Sequence, residues 1–310
     1  MHRHGLAPAA RSALMPRRRL LLLAGLAAVA GGAHARLPLP FHYDLHTFRG
    51  EAGRTAVVAA FAVPAGRLHE EEQPGGTRYR FDVTLVLADT VRRTVSRTDD
   101  SVFVGFRQRP RAEHLLTTHL EVQARPSVST VQRVIMSDAT LPGVGQLYGG
   151  GFPIPDYGGG RLMLSDIVLG LPDVRGGWRR GDVTLALLPT SRMPASAFDV
   201  YYEVYNLPAD RAYTTEIAVE PVGARAEPPR QPPVRLRFDG RSAAGTDATL
   251  AELRRVETSL TRGRYRLDVT VTDDASGATA TRSRTFHVRG WGPGATLVPA
   301  LPRTGLPGAR

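Results

Sequence analysis

Alternation of apolar and polar residues with a period of two is the feature that most constrains what this chain can fold into. Between Arg78 and Asp89, and again between Arg264 and Asp273, apolar side chains occupy every second position. Successive side chains of a strand point to opposite faces, so each segment predicts a half-buried β-strand of an antiparallel sheet. The predicted core residues are Tyr79, Phe81, Val83, Leu85 and Leu87 in the first segment and Tyr265, Leu267, Val269 and Val271 in the second.

Two other segments carry a mixed pattern. From Phe198 to Tyr205 the residues also alternate, but aromatic side chains stand on both faces, which favours a central strand or a surface for a partner. From Thr249 to Leu260 the apolar residues fit helical spacing and strand spacing equally well, so the sequence leaves both open.

The two halves of the chain resemble one another in their order of strands and turns. The strand from Thr55 ends in Pro64-Ala65-Gly66, as the strand from Phe198 is followed by Pro208-Ala209-Asp210, and each half contains a later strand that ends in Asp. We therefore predict an all-β chain of two tandem immunoglobulin-like or fibronectin-like β-sandwiches. The predicted boundaries are a first domain at 36–148, a Gly-rich linker at 149–160, a second domain at 161–290 and a disordered tail at 291–310.

The N-terminus has the order of a secretory signal peptide. Arg17, Arg18 and Arg19 precede an apolar run from Leu20 to Ala30, and Ala33-His34-Ala35 supplies the small residues that signal peptidase requires. The run is shorter than the roughly 20 residues that span a bilayer, so cleavage after Ala35 is expected, with Met15 as an alternative start. Without a second such run, we expect a soluble product without a membrane-spanning segment, located in the periplasm or outside the cell.

Charge and composition exclude several classes of function. All 40 basic residues are arginine, and the chain has no cysteine, so it has no Walker, kinase or Schiff-base lysine and no disulfide. Five arginines lie in the predicted signal peptide, which leaves 35 against 29 acidic residues and a net charge of +6 on the mature chain. This charge is spread along the sequence, so we expect no nucleic-acid binding.

Residues His42, Asp44 and His46 are the best candidates for a metal site. On a strand their side chains project from one face within about 14 Å, a spacing that a metal ion could bridge. The competing interpretation is a solvated strand edge, because no fourth ligand lies nearby. We therefore expect no bound cofactor.

Tyr201, Glu203 and Tyr205 form the strongest candidate for a binding site. They share the face of their strand opposite Tyr202, where tyrosines suit a protein interface or a carbohydrate, although packing between sheets explains them as well. Phe152 and Tyr157 stand among glycines in the predicted linker and could stack on the same ligand. Joint exposure of these aromatic residues would favour binding, and burial would favour packing.

Hydrolytic chemistry has little support in the sequence. A Gly-x-Ser-x-Gly elbow and a His-Glu-x-x-His zinc motif are both absent. A pair of carboxylates for glycoside hydrolysis forms only in three dimensions, and Asp166, Asp182 and Glu203 are the residues to inspect.

Three segments carry a resemblance to a known family: RLMLSDIVLG from Arg161, FDVYYEVYNL from Phe198, and GRYRLDVTVTD from Gly263, with the closing strand at Thr285-Phe286-His287-Val288. They resemble the β-sandwich regions that accompany bacterial GWxTD-domain proteins. The resemblance covers most of 160–289 and, more faintly, 41–138; the signature itself is absent, because Gly177-Trp178 is followed by Arg179-Arg180-Gly181. It implies an envelope-associated sandwich module and transfers no catalytic residue.

These observations predict an exported, non-enzymatic binding or assembly module of the cell envelope, with an envelope protein as its partner. The alternatives are an extracytoplasmic carbohydrate-binding protein and a hydrolase or metal-dependent enzyme.

Overall fold

The computed structural model of the chain describes residues 37–172, 177–194, 197–223, 232–243, 249–257, 259–289 and 297–299. Within these residues all regular structure is β-strand, apart from one 3-10 turn at Ala65–Arg67, which confirms the all-β prediction. None of their segments is a helix that could cross a membrane. The described residues all belong to one compact unit, whereas the predicted signal peptide at 1–35 lies outside them.

Nine strands lie in the first half of the chain. They are β1 (Leu37–Pro38), β2 (His42–Arg49), β3 (Thr55–Pro64), β4 (Glu70–Gln73), β5 (Gly76–Asp89), β6 (Thr94–Phe106), β7 (Leu115–Ala124), β8 (Thr130–Asp138) and β9 (Val144–Gly151).

The strands of the second half are shorter at first and longer towards the C-terminus. They are β10 (Met163–Leu164), β11 (Val168–Pro172), β12 (Trp178–Arg180), β13 (Val183–Leu187), β14 (Phe198–Tyr205), β15 (Ala212–Pro221), β16 (Val234–Arg241), β17 (Thr249–Val256), β18 (Gly263–Asp273), β19 (Thr279–Val288) and β20 (Leu297–Pro299).

The first sandwich consists of two sheets. One has the order β1-β9-β8-β5-β4, with β6 also paired to β5, and the other has the order β2-β3-β7-β20. Alternate residues of β5 and β3 meet in an apolar core that includes Phe81, Leu85 and Phe61, all at most 2% exposed. The alternation of β5 therefore correctly predicted which face is buried.

The second sandwich pairs a sheet of order β10-β14-β11-β13-β12, to which β17 is added on β14, with a sheet of order β16-β15-β18-β19. Its core contains the predicted apolar face of β18 together with Tyr202 and Phe286. The segment at Thr249–Val256 is a strand, which settles the question that its spacing left open.

A third apolar cluster joins the two sandwiches. It brings Phe48 and Val58 of the β2-β3-β7 sheet against Trp178, Leu185 and Tyr201 of the β14 sheet. Both of these sheets are consequently buried on both faces, and the four sheets form successive layers. This arrangement explains why β3 is apolar at nearly every position instead of alternating.

Three strands end in an aspartate that closes the following turn. Asp89 accepts hydrogen bonds from the backbone N–H groups of Val91 and Arg92, and Asp138 and Asp273 make equivalent bonds two or three residues onward. The bond from Arg92, together with hydroxyl and further backbone donors, lowers the pKa of Asp89 to about 2. The repeated terminal Asp is thus a turn-forming device.

Two predicted segments differ from the observed strands. Gly149 to Gly151 belong to β9 and pair with β8, so the predicted linker begins within a strand. In the predicted tail, Leu297–Pro299 pairs in parallel with β7, and the rest of that segment lies outside the described residues.

Candidate functional site

The predicted binding face of β14 is buried between the two sandwiches. Strand β14 lies at the centre of its sheet, and Tyr201, Glu203 and Tyr205 are 1%, 3% and 0% exposed. Trp178 packs edge-on against Tyr201 and stacks on Phe48, with ring centroids 5.4 Å apart in both pairs. Of the two interpretations that the sequence left open, burial favours packing between sheets for these residues, because a second sheet covers the face that carries them.

Glu203 is the centre of a buried polar network. Its carboxylate accepts hydrogen bonds from the Tyr201 hydroxyl at 2.8 Å and the Tyr205 hydroxyl at 2.6 Å. Arg180 on β12 completes the network with an ion pair through its Nε and a second contact through Nη2 at 3.1 Å. The buried charge is thus compensated by one cation and two hydroxyl donors.

The network shifts the titration of its members. Burial raises the pKa of the Tyr201 and Tyr205 hydroxyls, and the negative charge of Glu203 raises it further. Burial alone would lower the pKa of Arg180, but the bond to Glu203 outweighs burial and raises it. The tyrosines therefore stay neutral hydrogen-bond donors, and the arginine stays charged.

Polar groups of the second half of the chain cover the free edge of β2. At Thr47 the backbone N–H donates to Asp166 Oδ2 at 2.7 Å, and the carbonyl accepts from the Asp166 N–H at 3.0 Å and from the Tyr157 hydroxyl at 3.1 Å. At Arg49 the N–H donates to the Tyr205 hydroxyl at 2.8 Å, and the carbonyl accepts from Arg180 Nη2 at 2.8 Å. The backbone N–H and C=O groups of this edge strand, which would otherwise lack partners, are thereby hydrogen-bonded by the other sandwich.

Two ion pairs tie the same edge to β19. Asp166 accepts from Arg282 Nε at 2.8 Å, and Asp44 accepts from Arg284 Nη2 at 2.7 Å. Burial would raise the pKa of Asp166, but Arg282 and the Thr47 hydroxyl outweigh burial, so its pKa is lowered. The carboxylate is consequently held in its charged form.

The structure gives no support to a metal site at His42, Asp44 and His46. The three residues do share one strand, yet no metal-binding group of His, Cys, Asp or Glu occurs in the part of the chain that the structure describes. Asp44 also accepts two bonds from Thr190 at 2.7 Å, and His42 Nδ1 lies 2.8 Å from the Ser191 hydroxyl. Burial, followed by the charge of Arg284, lowers the pKa of His46 to about 4.

The remaining candidates are dispersed. Tyr157 is buried and bonded to Thr47, whereas Phe152 is half-buried at an open cleft of about 420 Å³ that also includes Tyr43 and Thr190. Of the carboxylates, Asp166 and Glu203 are each paired with an arginine, and Asp182 is exposed in the turn before β13. These positions give no support to a glycosidase-like pair.

Sequence reasoning missed the partners of these acids. Alternation places Arg282 and Arg284 on the face of β19 that carries the buried Phe286 and Val288. The acidic partners of Arg180, Arg282 and Arg284 are nevertheless 23, 116 and 240 residues away in the chain. One sequence signal was Glu203, which stands between Tyr201 and Tyr205 on one face of β14. Such a residue requires a buried cation or donor.

Comparisons with known proteins show similarity in structure only. No family model matches the chain, and no curated protein matches its sequence. Among solved structures, red sea bream transglutaminase matches 80% of this chain and 31% of its own, with 12% identity and a TM-score of 0.23. A Bacteroides uniformis beta-glucuronidase matches 74% of this chain and 26% of its own, with 8% identity and a TM-score of 0.26.

The chain spans less than a third of the length of either of these proteins. At such TM-scores the matches carry no argument about activity. The class of the molecule follows from its own sheets, which define an all-β protein built of sandwich layers.

Proposed function

We propose that this chain is an exported, non-enzymatic interaction module that binds a protein partner through the outer face and free edge of its first sheet. Export and the envelope location rest on the predicted signal peptide and on the family resemblance of the second half. The partner-binding surface rests on the exposed residues described next.

The outer face of the β5-β6-β8-β9 sheet carries an apolar surface. The register places Val95 and Val131 on either side of Ala88, and Leu147 beside Ile135 two rows away. In the row between them Val86 lies between Arg97 and Arg133. Val95 is 65%, Leu147 49% and Val131 37% exposed. We call Val86, Ala88, Val95, Val131, Ile135 and Leu147 the outer patch. The grouping of these residues on one exposed face, with Arg97 and Arg133 beside Val86, is the observation that carries the proposal, since grouped exposed apolar residues mark interaction surfaces.

Strand β6 adds a backbone surface beside the outer patch. It pairs with β5 on one side, and from Thr94 to Ser101 no other described strand pairs with it. An exposed edge of this length can accept an added strand from another protein, with the backbone giving affinity and the neighbouring side chains giving specificity. An extended segment of the partner is therefore the expected ligand.

The buried polar network favours a binding module over an enzyme. The carboxylates of Glu203, Asp166 and Asp44 are each engaged by an arginine that belongs to another strand. Groups held in this way stabilise the junction between the sandwiches and are poorly placed to exchange protons with a substrate.

The test is retention of envelope proteins by the immobilised chain from Arg36 to Arg310, followed by mass spectrometry. Val95→Asp combined with Leu147→Asp should abolish retention of a specific protein. Val222→Asp is the matched control, because Val222 is 40% exposed and lies on the second sandwich. Equal retention by the double variant and the control would contradict the proposal, as would retention of background proteins alone.

A further inference from the structure

Three arginines converge at one end of the first sandwich. The register pairs Thr55 of β3 with Ala124 of β7 as the last pair of the ladder. The next residues beyond this pair, Arg54 and Arg125, therefore lie side by side at the end of the two strands. Arg92 reaches the same place from the turn after β5, where its Nη1 donates to the carbonyl of Pro126 at 2.7 Å. The pairing of β3 with β7 thus places Arg54 and Arg125, and the turn after β5 places Arg92 beside them.

These side chains line an open cleft of about 500 Å³, together with Asp156 and the backbone of Ala52 and Gly53. Its volume lies within the range of about 300–1,000 Å³ that is usual for small-molecule sites. The lining carries three guanidinium groups against one carboxylate, and Asp156 Oδ1 already accepts from the Gly158 N–H at 2.8 Å.

The positive charge of the cleft is incompletely neutralised. Arg92 lies 3.6 Å from Asp89, which also closes its own turn. In the described part of the chain no carboxylate lies within ion-pair distance of Arg54 or Arg125. Like charges on neighbouring strands repel one another, so an anion bound between them would relieve that cost.

A second cleft of about 250 Å³ adjoins the first and shares Arg54 and Arg125 with it. Its lining adds the hydroxyl residues Thr94, Ser96 and Thr130, together with the carboxylate of Asp89, which lies 3.6 Å from Arg92, and the apolar residues Leu87, Ala124 and Ile154. Thr130 is 3% exposed, and its Oγ1 has no hydrogen-bond partner. A buried hydroxyl without a partner is unfavourable, and a ligand hydroxyl in the cleft would satisfy it.

We propose that the two clefts together form a binding site for an acidic saccharide. Its carboxylate, sulfate or phosphate lies between Arg54, Arg92 and Arg125, whose planar guanidinium groups suit two-point contacts with oxyanions. Its ring hydroxyls face the hydroxyls of Thr94, Ser96 and Thr130. The site uses other side chains than the outer patch and does not depend on the protein-binding function.

Calorimetric titration of the chain from Arg36 to Arg310 tests this site. The probes are glucose 6-phosphate, glucose 6-sulfate and galacturonic acid, compared with glucose and with inorganic phosphate. At least one acidic sugar should bind about 10-fold more tightly than either glucose or inorganic phosphate, because only the acidic sugar engages both the arginines and the hydroxyl residues.

Variants assign the binding to the clefts. Arg54→Ala and Arg125→Ala should each weaken binding of the acidic sugar about 10-fold, and Thr130→Val should weaken it without changing binding of inorganic phosphate. Arg237→Ala on β16 is the matched control, since its side chain is 73% exposed and distant in the fold. Thermal unfolding should not distinguish Arg54→Ala or Arg125→Ala from this control.

Three results would overturn the proposal. They are the absence of binding by all three acidic sugars, equal affinity for inorganic phosphate and for the acidic sugars, and equal affinity of Arg54→Ala and Arg237→Ala.

Discussion

The core inside each sandwich and the junction between the sandwiches are both buried, but they are built differently. The core of the first sandwich is formed by aliphatic and aromatic side chains such as Phe61, Phe81 and Leu85. The junction combines an aromatic cluster around Trp178 with the charged groups Glu203 and Arg180. Apolar packing fills space without fixing direction, whereas the buried ion pairs define one relative placement of the sheets.

The largest expected difference comes from removing the central charge of the junction. Glu203→Gln should lower the free energy of unfolding by about 3–5 kcal/mol, because it leaves the largely buried Arg180 without its counter-charge. Urea denaturation measures the change. Adding Arg180→Met to this variant should recover part of the loss, and strictly additive losses would show that the pair is not coupled.

A truncation in the sandwich core should cost about 2–5 kcal/mol. Leu85→Ala removes a fully buried side chain that makes no polar contact, so its cost comes from lost burial and a cavity. Measured by the same denaturation experiment, this loss should not depend on pH between 4 and 8. If the stability of Leu85→Ala depended on pH differently from that of the unchanged protein, the distinction between an apolar core and a charged junction would be contradicted.

Acid should weaken the junction through His46. The pKa of this histidine is about 4 when folded and about 6.5 when unfolded, so the unfolded chain binds more protons between these values. Stability should therefore fall by about 3 kcal/mol as pH decreases from 6.5 to 4. Arg284, Asp44 and Asp166 are the charged groups that act on this site.

His46→Leu provides the control for acid sensitivity. Its stability should decline less steeply over the same range of pH in denaturation curves, because only the other groups then titrate. Identical slopes for the variant and the unchanged protein would contradict the assignment to His46.

A smaller effect is expected at the covered edge of β2. Thr47→Val keeps the shape of the side chain but removes the hydroxyl that donates to Asp166 at 2.6 Å, which should cost about 1–2 kcal/mol. Thr270→Val is a suitable comparison, since its hydroxyl contacts Thr281 at an exposed position. Equal losses of stability for Thr47→Val and Thr270→Val in urea denaturation would contradict a specific contribution of this edge.

The smallest effect is expected for an ion pair on the surface. Glu216→Gln removes the charge that pairs with Arg235 at 3.3 Å, where both side chains are about half exposed, and should cost less than about 0.5 kcal/mol. The comparison with Glu203→Gln isolates the contribution of burial in thermal or chemical unfolding. If Glu216→Gln lost as much stability as Glu203→Gln, burial could not be the reason for the larger effect at Glu203.

The sequence predicts the cores of the sandwiches better than it predicts the junction between them. The alternation of β5 and β18 is visible because one face of each strand is buried and the other meets solvent. Strands β3 and β14 are buried on both faces, so their patterns reveal strands but not which sheet covers them.

The pairing of charges is beyond sequence reasoning for a different reason. Arg284 and Asp44 meet only because β19 and β2 come together from distant parts of the chain, and no local spacing encodes this contact. A buried acid can be noticed in a strand, as Glu203 was, but its partner depends on the stacking of whole sheets. The sequence therefore leaves open whether the face of Tyr201 and Tyr205 binds a ligand or packs between sheets, and the structure shows that it is internal.

The covered edge of β2 also imposes an order in time on folding. Its backbone is completed by Tyr157, Asp166 and Tyr205, which are synthesised long after β2 itself. A nascent or truncated chain that ends before Tyr157 therefore presents β2 as an open edge, ready to pair with a neighbouring molecule. Folding of the second half therefore protects the edge of β2 in the first half from pairing with other molecules.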